Sequence, residues 1–462
     1  MAAFDPILAD MRFGCGLSPV IPPAGSAEAM LETLDGPDRA AAQYPIEEFD
    51  TFRLRMQKAL EFQRVRRADR GSPEALAAKK AVKVLNKEAR QAQYFWMAQH
   101  LARRITTAAP FRERLEAFWA DHFTATGKQA LLRRAGSPYT QSAIRPFLTG
   151  PFEEMLIAAV THPLMVHYLD QATSVGPHSA LAQKRGSGSG LNENLAREVM
   201  ELHTLGVGGP YTQGDVRELA ELLTGLTMHA NTGRKFRKDM AEPGAETVLG
   251  KSYGGDNPNL RDIEAVLRDL ARHPATARHL AGKLARHFVS DTPDPALVDA
   301  VERALADSGT NLLAGYRALL GHPAAWNTEN PNVKPPFDFI SSALRALVVE
   351  PEAITSLKEG VFRTRIQYPM VMMGHIWQSP DGPDGLKEED SAWITPQGLA
   401  ARLQWAVTMP GVLRRDLPDP RDFVKHALGP RATVAVQFAA EAAESRGDGV
   451  GLILASPAFQ RM

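Results

Sequence analysis

Residues 192–215 read NENLAREVMELHTLGVGGPYTQGD and run on through VRELAELLTGL to residue 226. Asn192 offers a side-chain oxygen to the free N–H groups of a first helical turn, and Gly206 supplies the left-handed residue that ends a helix near Leu205. Thr212 and Asp215 have the spacing of a capping box, with Tyr211 placed to pack on Val216. Val216, Leu219, Leu223 and Leu226 then recur at helical spacing. Two helices joined by GVGGP make a helical hairpin with polar groups near its bend.

The same punctuation recurs along the chain. Ser72-Pro73-Glu74 opens an Ala/Lys-rich helix to about Arg104. Pro110 opens FRERLEAFWADHF, with Phe111, Leu115, Phe118, Trp119 and Phe123 on one stripe, and Thr395-Pro396 opens a helix carrying Leu399, Leu403 and Val407. Runs of alternating Val, Ile, Thr and aromatics are nearly absent, so a sheet has little to build from. The expected fold is all-α, an irregular multi-helix orthogonal bundle with long loops. No repeat and no Pro/Gly-rich linker divides residues 1–462, which read as a single composite helical domain. Gly/Ser-rich residues 172–190 are expected to resist helix formation and to make a mobile loop or lid. Residues 378–391 make a second polar loop.

Composition narrows the function classes. The 462 residues carry 53 basic and 53 acidic side chains, so the overall field gives no reason to expect a nucleic-acid partner. Residues 52–105 hold fourteen basic and four acidic side chains, spread over Ala-rich helix as on a solvated face. One cysteine, Cys15, excludes an internal disulfide framework. No segment reaches the length of a membrane span, and the amino terminus has no export-signal layout, so a cytoplasmic address is the default expectation. No nucleophile elbow, phosphate loop, zincin or dinucleotide motif is present.

The candidate site lies on the first helix of the central hairpin. At 100° per residue, Glu193, Asn194, Arg197, Glu198 and Glu201 fall within about 140° of one another. Arg197 can bridge Glu193 and Glu201 in a ladder, which leaves Glu198 without a local partner. Crowded carboxylates require a metal or a shared proton, so Glu198 and Glu201 are the candidate ligands of a divalent metal or a general base. Arg197 would orient them, with His122 and His203 in support. Asn192, Glu193, Asn194, Asp170 and Tyr211 are the candidate substrate-binding residues. The plainer alternatives are an ion-pair ladder for the carboxylates, core packing for His203, and capping for Asp215.

The stretch NENLAREVMELHTLGVGGPYTQGDV resembles the central signature of a bacterial family catalogued as domain of unknown function 1800. The resemblance extends over Arg12-Phe13-Gly14, WADHF at 119–123, HPLMVHYLD at 162–170 and LTG at 223–225. It continues over HPATARHLAGKLARHFVSDTP at 273–293, VKPPFDF at 333–339, SSALRAL at 341–347 and the closing ILASPAFQRM. It implies a helical protein, encoded beside members of the domain of unknown function 1501 family, many with Tat-type signals. That neighbourhood implies a partner, and export in its company. Where the family reads His-Asp-x-Gly-x-Lys, this chain has Ala241-Glu242-Pro243-Gly244-Ala245-Glu246, and Gln171 stands where Asn is usual.

Two readings follow. One is a hydrolytic or metal-assisted enzyme using Glu198 and Glu201. The other is a noncatalytic partner or export-accessory protein, in which the same residues brace the hairpin.

Overall fold

Helix follows helix over most of the chain in the computed structural model, which describes residues 3–185 and 190–462. α1 (Phe49–Ala68) and α2 (Pro73–Thr106) form a hairpin, and the Ser72 hydroxyl accepts the Ala75 N–H at 3.0 Å to start α2. The basic run lies largely on their exposed outer half, as expected of a solvated face. Its last members, Arg103 and Arg104, are instead buried where α2 enters the core. α3 (Pro110–His122) carries the expected apolar stripe, but Arg112, Glu113, Arg114 and Glu116 are buried as well, so the helix is enclosed on every side.

The central segment departs from a plain hairpin of two α-helices. A regular helix covers only Asn194–Glu198, and Val199–His203 widen into a π turn closed by the Gly206 N–H on the Met200 carbonyl at 3.1 Å. Gly206 has φ of +87°, the expected stop. α4 (Gln213–Leu222) begins with the expected Thr212–Asp215 capping box. It ends before Leu226, which is buried as part of strand β1 (Leu226–His229). A helical continuation is cut off at Gly225, whose φ is +86° and where a Cβ would come within 2.8 Å of the Arg237 carbonyl.

β1 pairs antiparallel with β2 (Gly233–Phe236), and β3 (Gly244–Val248) with β4 (Lys251–Gly255). These two small sheets qualify an otherwise helical fold. The β3–β4 turn places both Leu249 and Gly250 at positive φ, the two-residue type I′ geometry, and Asp215 accepts the Leu249 N–H at 2.7 Å. A leucine at that position gives no sequence cue to the turn. Within 172–190, residues Ala180–Arg185 are helical, against expectation. The Ser179 hydroxyl accepts the Ala182 N–H at 3.3 Å, and ALAQKR is composed of good helix formers. Residues 186–189, part of the expected lid, lie outside the described residues.

α5 (Pro274–Phe288) and α6 (Pro336–Ala346) complete the framework, with α7 (Pro396–Thr408) on the C-terminal side. α7 starts where Thr395 predicts, yet Leu399, Leu403 and Val407 face outward. The core instead takes Trp405, Ala406 and Arg402, whose guanidinium donates to the Lys334 carbonyl and to Gln460 Oε1. Apolar packing forms one large cluster from Leu8 to Trp326 and a second around residues 337–459. α2 joins them, with Trp96 in the first and Met97, Leu101 and Ile105 in the second. No described helix is long and apolar enough to cross a membrane.

Candidate active site

The ladder on the central helix forms as its spacing indicates. Arg197 pairs with Glu193 and Glu201 at 3.2 Å each and also donates to Gln213 at 3.0 Å. Glu198 has no ion pair or hydrogen bond among the described residues. Burial, then Glu201 and Asp384, raise its carboxyl to about 6. Tyr211 is half-buried, with Glu201 among the charges acting on its hydroxyl, and Asn194 is exposed. Asn192 is structural in its contacts, receiving the Asn194 N–H at 2.9 Å and donating to the Leu169 carbonyl at 3.3 Å. Asp170 is exposed and pairs with Lys128 at 2.6 Å.

His122 and His203 lie elsewhere, packed inside with ring centroids 5.9 Å apart. His122 Nε2 is 3.2 Å from the His203 carbonyl, and His279 Nε2 is 2.9 Å from the Leu202 carbonyl. Burial lowers His203 to about 3 and His279 to about 4, and pushes His122 down too, so all three rings are neutral. No ion pair or hydrogen bond joins these rings to the carboxylate ladder among the described residues.

A cavity of about 120 Å³ opens where the two apolar clusters meet. α2 contributes His100 and Arg104, α3 contributes Glu113, Glu116 and Asp121, α5 contributes His287, and α6 contributes Phe337 and Asp338. The polar loop 378–391 closes the remaining side together with His375, Trp377 and Trp393. Enclosure of α3 is what brings charged groups here. Their charges are offset by buried partners: Arg145 binds Asp38, Glu113 and Glu116 at 2.6–2.7 Å, and Asp338 is held by Arg104 and by Arg114 at 2.8 Å.

Two histidines on this wall are oriented by carboxylates. His287 Nδ1 lies 3.0 Å from Glu388, and its Nε2 is 3.4 Å from Arg114. His100 Nδ1 lies 3.5 Å from Glu116, and its Nε2 is buried with no partner. Burial lowers His100 despite Glu116, so the ring is neutral, with its Nδ1–H toward the carboxylate and Nε2 left as acceptor. Burial alone would raise Glu116, but Arg145 and His100 hold it well below the usual carboxylate range.

Asp121 is the contrasting acid. Burial, reinforced by Glu388, pushes it up to about 7 against the opposing Leu386 N–H, which donates at 2.9 Å. That contact needs Gly385, with φ of +86°. A Cβ there would overlap Asp121 Oδ2 and come within 3.0 Å of the Asp121 carbonyl oxygen. Gly385→Ala is expected to destabilise the fold by about 1–3 kcal/mol and to displace the loop from Asp121. Chemical denaturation checks this, and a loss below about 0.5 kcal/mol contradicts it.

Sequence reasoning missed most of this wall. His279, Lys283 and His287 recur every fourth residue on α5, a readable row of titratable groups, and Asp121 and Asp338 sit inside the quoted WADHF and VKPPFDF. His100, Glu113 and Glu116 gave no signal, because only tertiary enclosure distinguishes them from surface charges. Among the described residues, one acidic group has ligand atoms within 4.8 Å of one another: Glu218, Glu221 and Glu246. Glu198 and Glu201 complete no such group. Burial and Glu218 raise the Glu246 carboxyl, consistent with a shared proton.

Neither the curated proteins nor the solved structures hold a match to the chain. A family model does match, over residues 11–461, and its extent takes in every wall of the cavity and the whole central segment. The chain belongs to the family described as protein of unknown function, DUF1800.

Proposed function

We propose that the protein is an acid–base hydrolase working at the cavity between α2, α3 and the 378–391 loop. His100 Nε2 takes a proton from water, whose oxygen attacks an acyl carbon. Glu116 orients the ring and offsets the imidazolium that forms, and Asp121 gives its proton to the departing oxygen or nitrogen. The observation that carries this reading is a neutral histidine, carboxylate-oriented through Nδ1 and unpartnered at Nε2, lining the same cavity as a carboxylic acid poised near neutrality. Asp384, on the same loop, is among the charges acting on both Asp121 and Glu198.

His100→Gln is expected to lower kcat/KM about 10²–10⁴-fold on small p-nitrophenyl esters and anilides, with folding retained. Equal rates for variant and wild type, or no turnover by the wild type across such a panel, overturn the reading.

A second reading, docking on a partner protein, is favoured by one observation. Leu399, Leu403 and Val407 line the outer face of α7, and Val434 and Phe438 nearby along the chain are 83% and 69% exposed. The domain of unknown function 1501 family is the partner that the resemblance implies. Leu403→Glu should abolish co-purification with such a partner while leaving the fold intact, and undiminished co-purification removes this reading.

A further inference from the structure

The cavity has features beyond its acid–base pair. About 120 Å³ matches a single six-membered ring with one small substituent. Its walls are aromatic: Phe337 and Trp377 have centroids 4.3 Å apart, His100 meets Trp377 edge-on at 5.1 Å, and Trp393 packs on His375 at 5.9 Å. Such surfaces favour a flat ring over a branched aliphatic group.

Three polar atoms of these wall residues are buried without a partner: His100 Nε2, His375 Nδ1 and Trp377 Nε1. An indole N–H can only donate, so Trp377 calls for an acceptor. The fixed charges nearby are paired, Arg104 with Asp338, and Glu113 and Glu116 with Arg145, and burial holds Asp121 toward its uncharged form, so an added charge would be desolvated with little to offset it.

We infer that the cavity binds an uncharged aromatic or heteroaromatic ring bearing a carbonyl, as in a small aryl carboxamide or ester. The carbonyl oxygen accepts from the Trp377 indole, and the ring lies against Phe337 and His375. This rests on the hydrolase reading for its account of turnover, but binding is measured separately. The cavity would take such a ligand whether or not water attacks it.

The test uses the full chain and three probes of one shape: benzamide, benzoate and benzylamine. Calorimetric titration at neutral pH is expected to show benzamide binding at least about tenfold more tightly than either charged probe. Trp377→Phe, which keeps the aromatic wall and removes the donor, is expected to weaken benzamide about tenfold. Benzoate or benzylamine binding as well as benzamide overturns the inference, as does the absence of benzamide binding at millimolar concentration. If Trp377→Phe does not fold, the ranking of the three probes on the wild type decides alone. Benzamide binding without turnover of aryl esters defeats the hydrolase reading and leaves this one standing. Turnover without preference for the neutral probe does the reverse.

Discussion

Arg145→Met is expected to lower the stability of the fold by about 3–5 kcal/mol, the range seen when one member of a buried charge cluster is removed. The guanidinium is buried and uses every edge: it donates to both oxygens of Asp38, to both oxygens of Glu113, and to Glu116 at 2.7 Å. Methionine replaces much of the stem but none of the charge, leaving two enclosed carboxylates short of a cation. Glu116 retains only Arg103 at 3.7 Å and His100 at 3.5 Å. Arg197→Met on the central helix makes the control, since its half-exposed i,i+4 pairs are worth below about 1 kcal/mol. Urea denaturation compares the two directly. Adding Glu116→Gln to Arg145→Met should recover part of the loss, because a neutral amide needs no counter-ion. An Arg145 variant as mild as the Arg197 variant would contradict this account of the core.

Arg145 also bears on the proposed reaction. Its pairing helps keep Glu116 ionised, and the ionised carboxylate sets the tautomer of His100. The sign follows from the direction of the shift. Glu116 lies below its ordinary value of 4.5 in the fold, so its contribution is present above about pH 4.5 and is lost as the solution becomes more acid. Removing Arg145 pushes Glu116 back toward protonation and loosens the histidine it orients, so activity and stability fall together.

The local grammar of the chain was legible. Ser72, Thr212 and Thr395 cap the helices that follow them in sequence, Gly206 stops the central helix, and the apolar side of α3 is buried. What escaped was set by partners distant in sequence. Leu223 and Leu226 keep a helical period, but backbone approach at Gly225 turns the chain into a strand. Leu399, Leu403 and Val407 keep one too, yet face outward because Arg402 finds carbonyl and amide acceptors inside. The carboxylates of the central helix were visible because they recur on one surface. Glu113 and Glu116 on α3 have the same composition and spacing as a solvated face, and only the approach of Arg145, 29 or more residues away, makes them an interior charge cluster. Family segments such as WADHF and VKPPFDF enclosed the missing groups, although their side-chain roles depended on a loop more than 250 residues further on in the case of Asp121.

Asp121→Asn is expected to make the protein more stable above neutral pH and less active at every pH. Burial raises the Asp121 carboxyl from 3.8 to about 7, so the fold holds a proton that the unfolded chain releases. A raised value of this kind stabilises fully below the unfolded pKa and is lost as pH rises through the folded one. The wild type should therefore lose stability between about pH 4 and about pH 7 through this group. Asparagine resembles the protonated acid, can still accept the Leu386 N–H, and has no proton to lose. The two proteins should be equally stable near pH 4, and the variant should lead above about pH 7 by about 1–3 kcal/mol, a range reduced for the solvent that reaches a half-buried side chain. Urea denaturation at a series of pH values measures the gap, and parallel curves would show that Asp121 titrates as an ordinary carboxylate. The same substitution removes the proposed proton donor, so the alkaline limb of the rate profile should vanish along with most of the rate. Stability gained and turnover lost in one variant would separate a proton donor kept at a cost to the fold from an acid that merely fills its place.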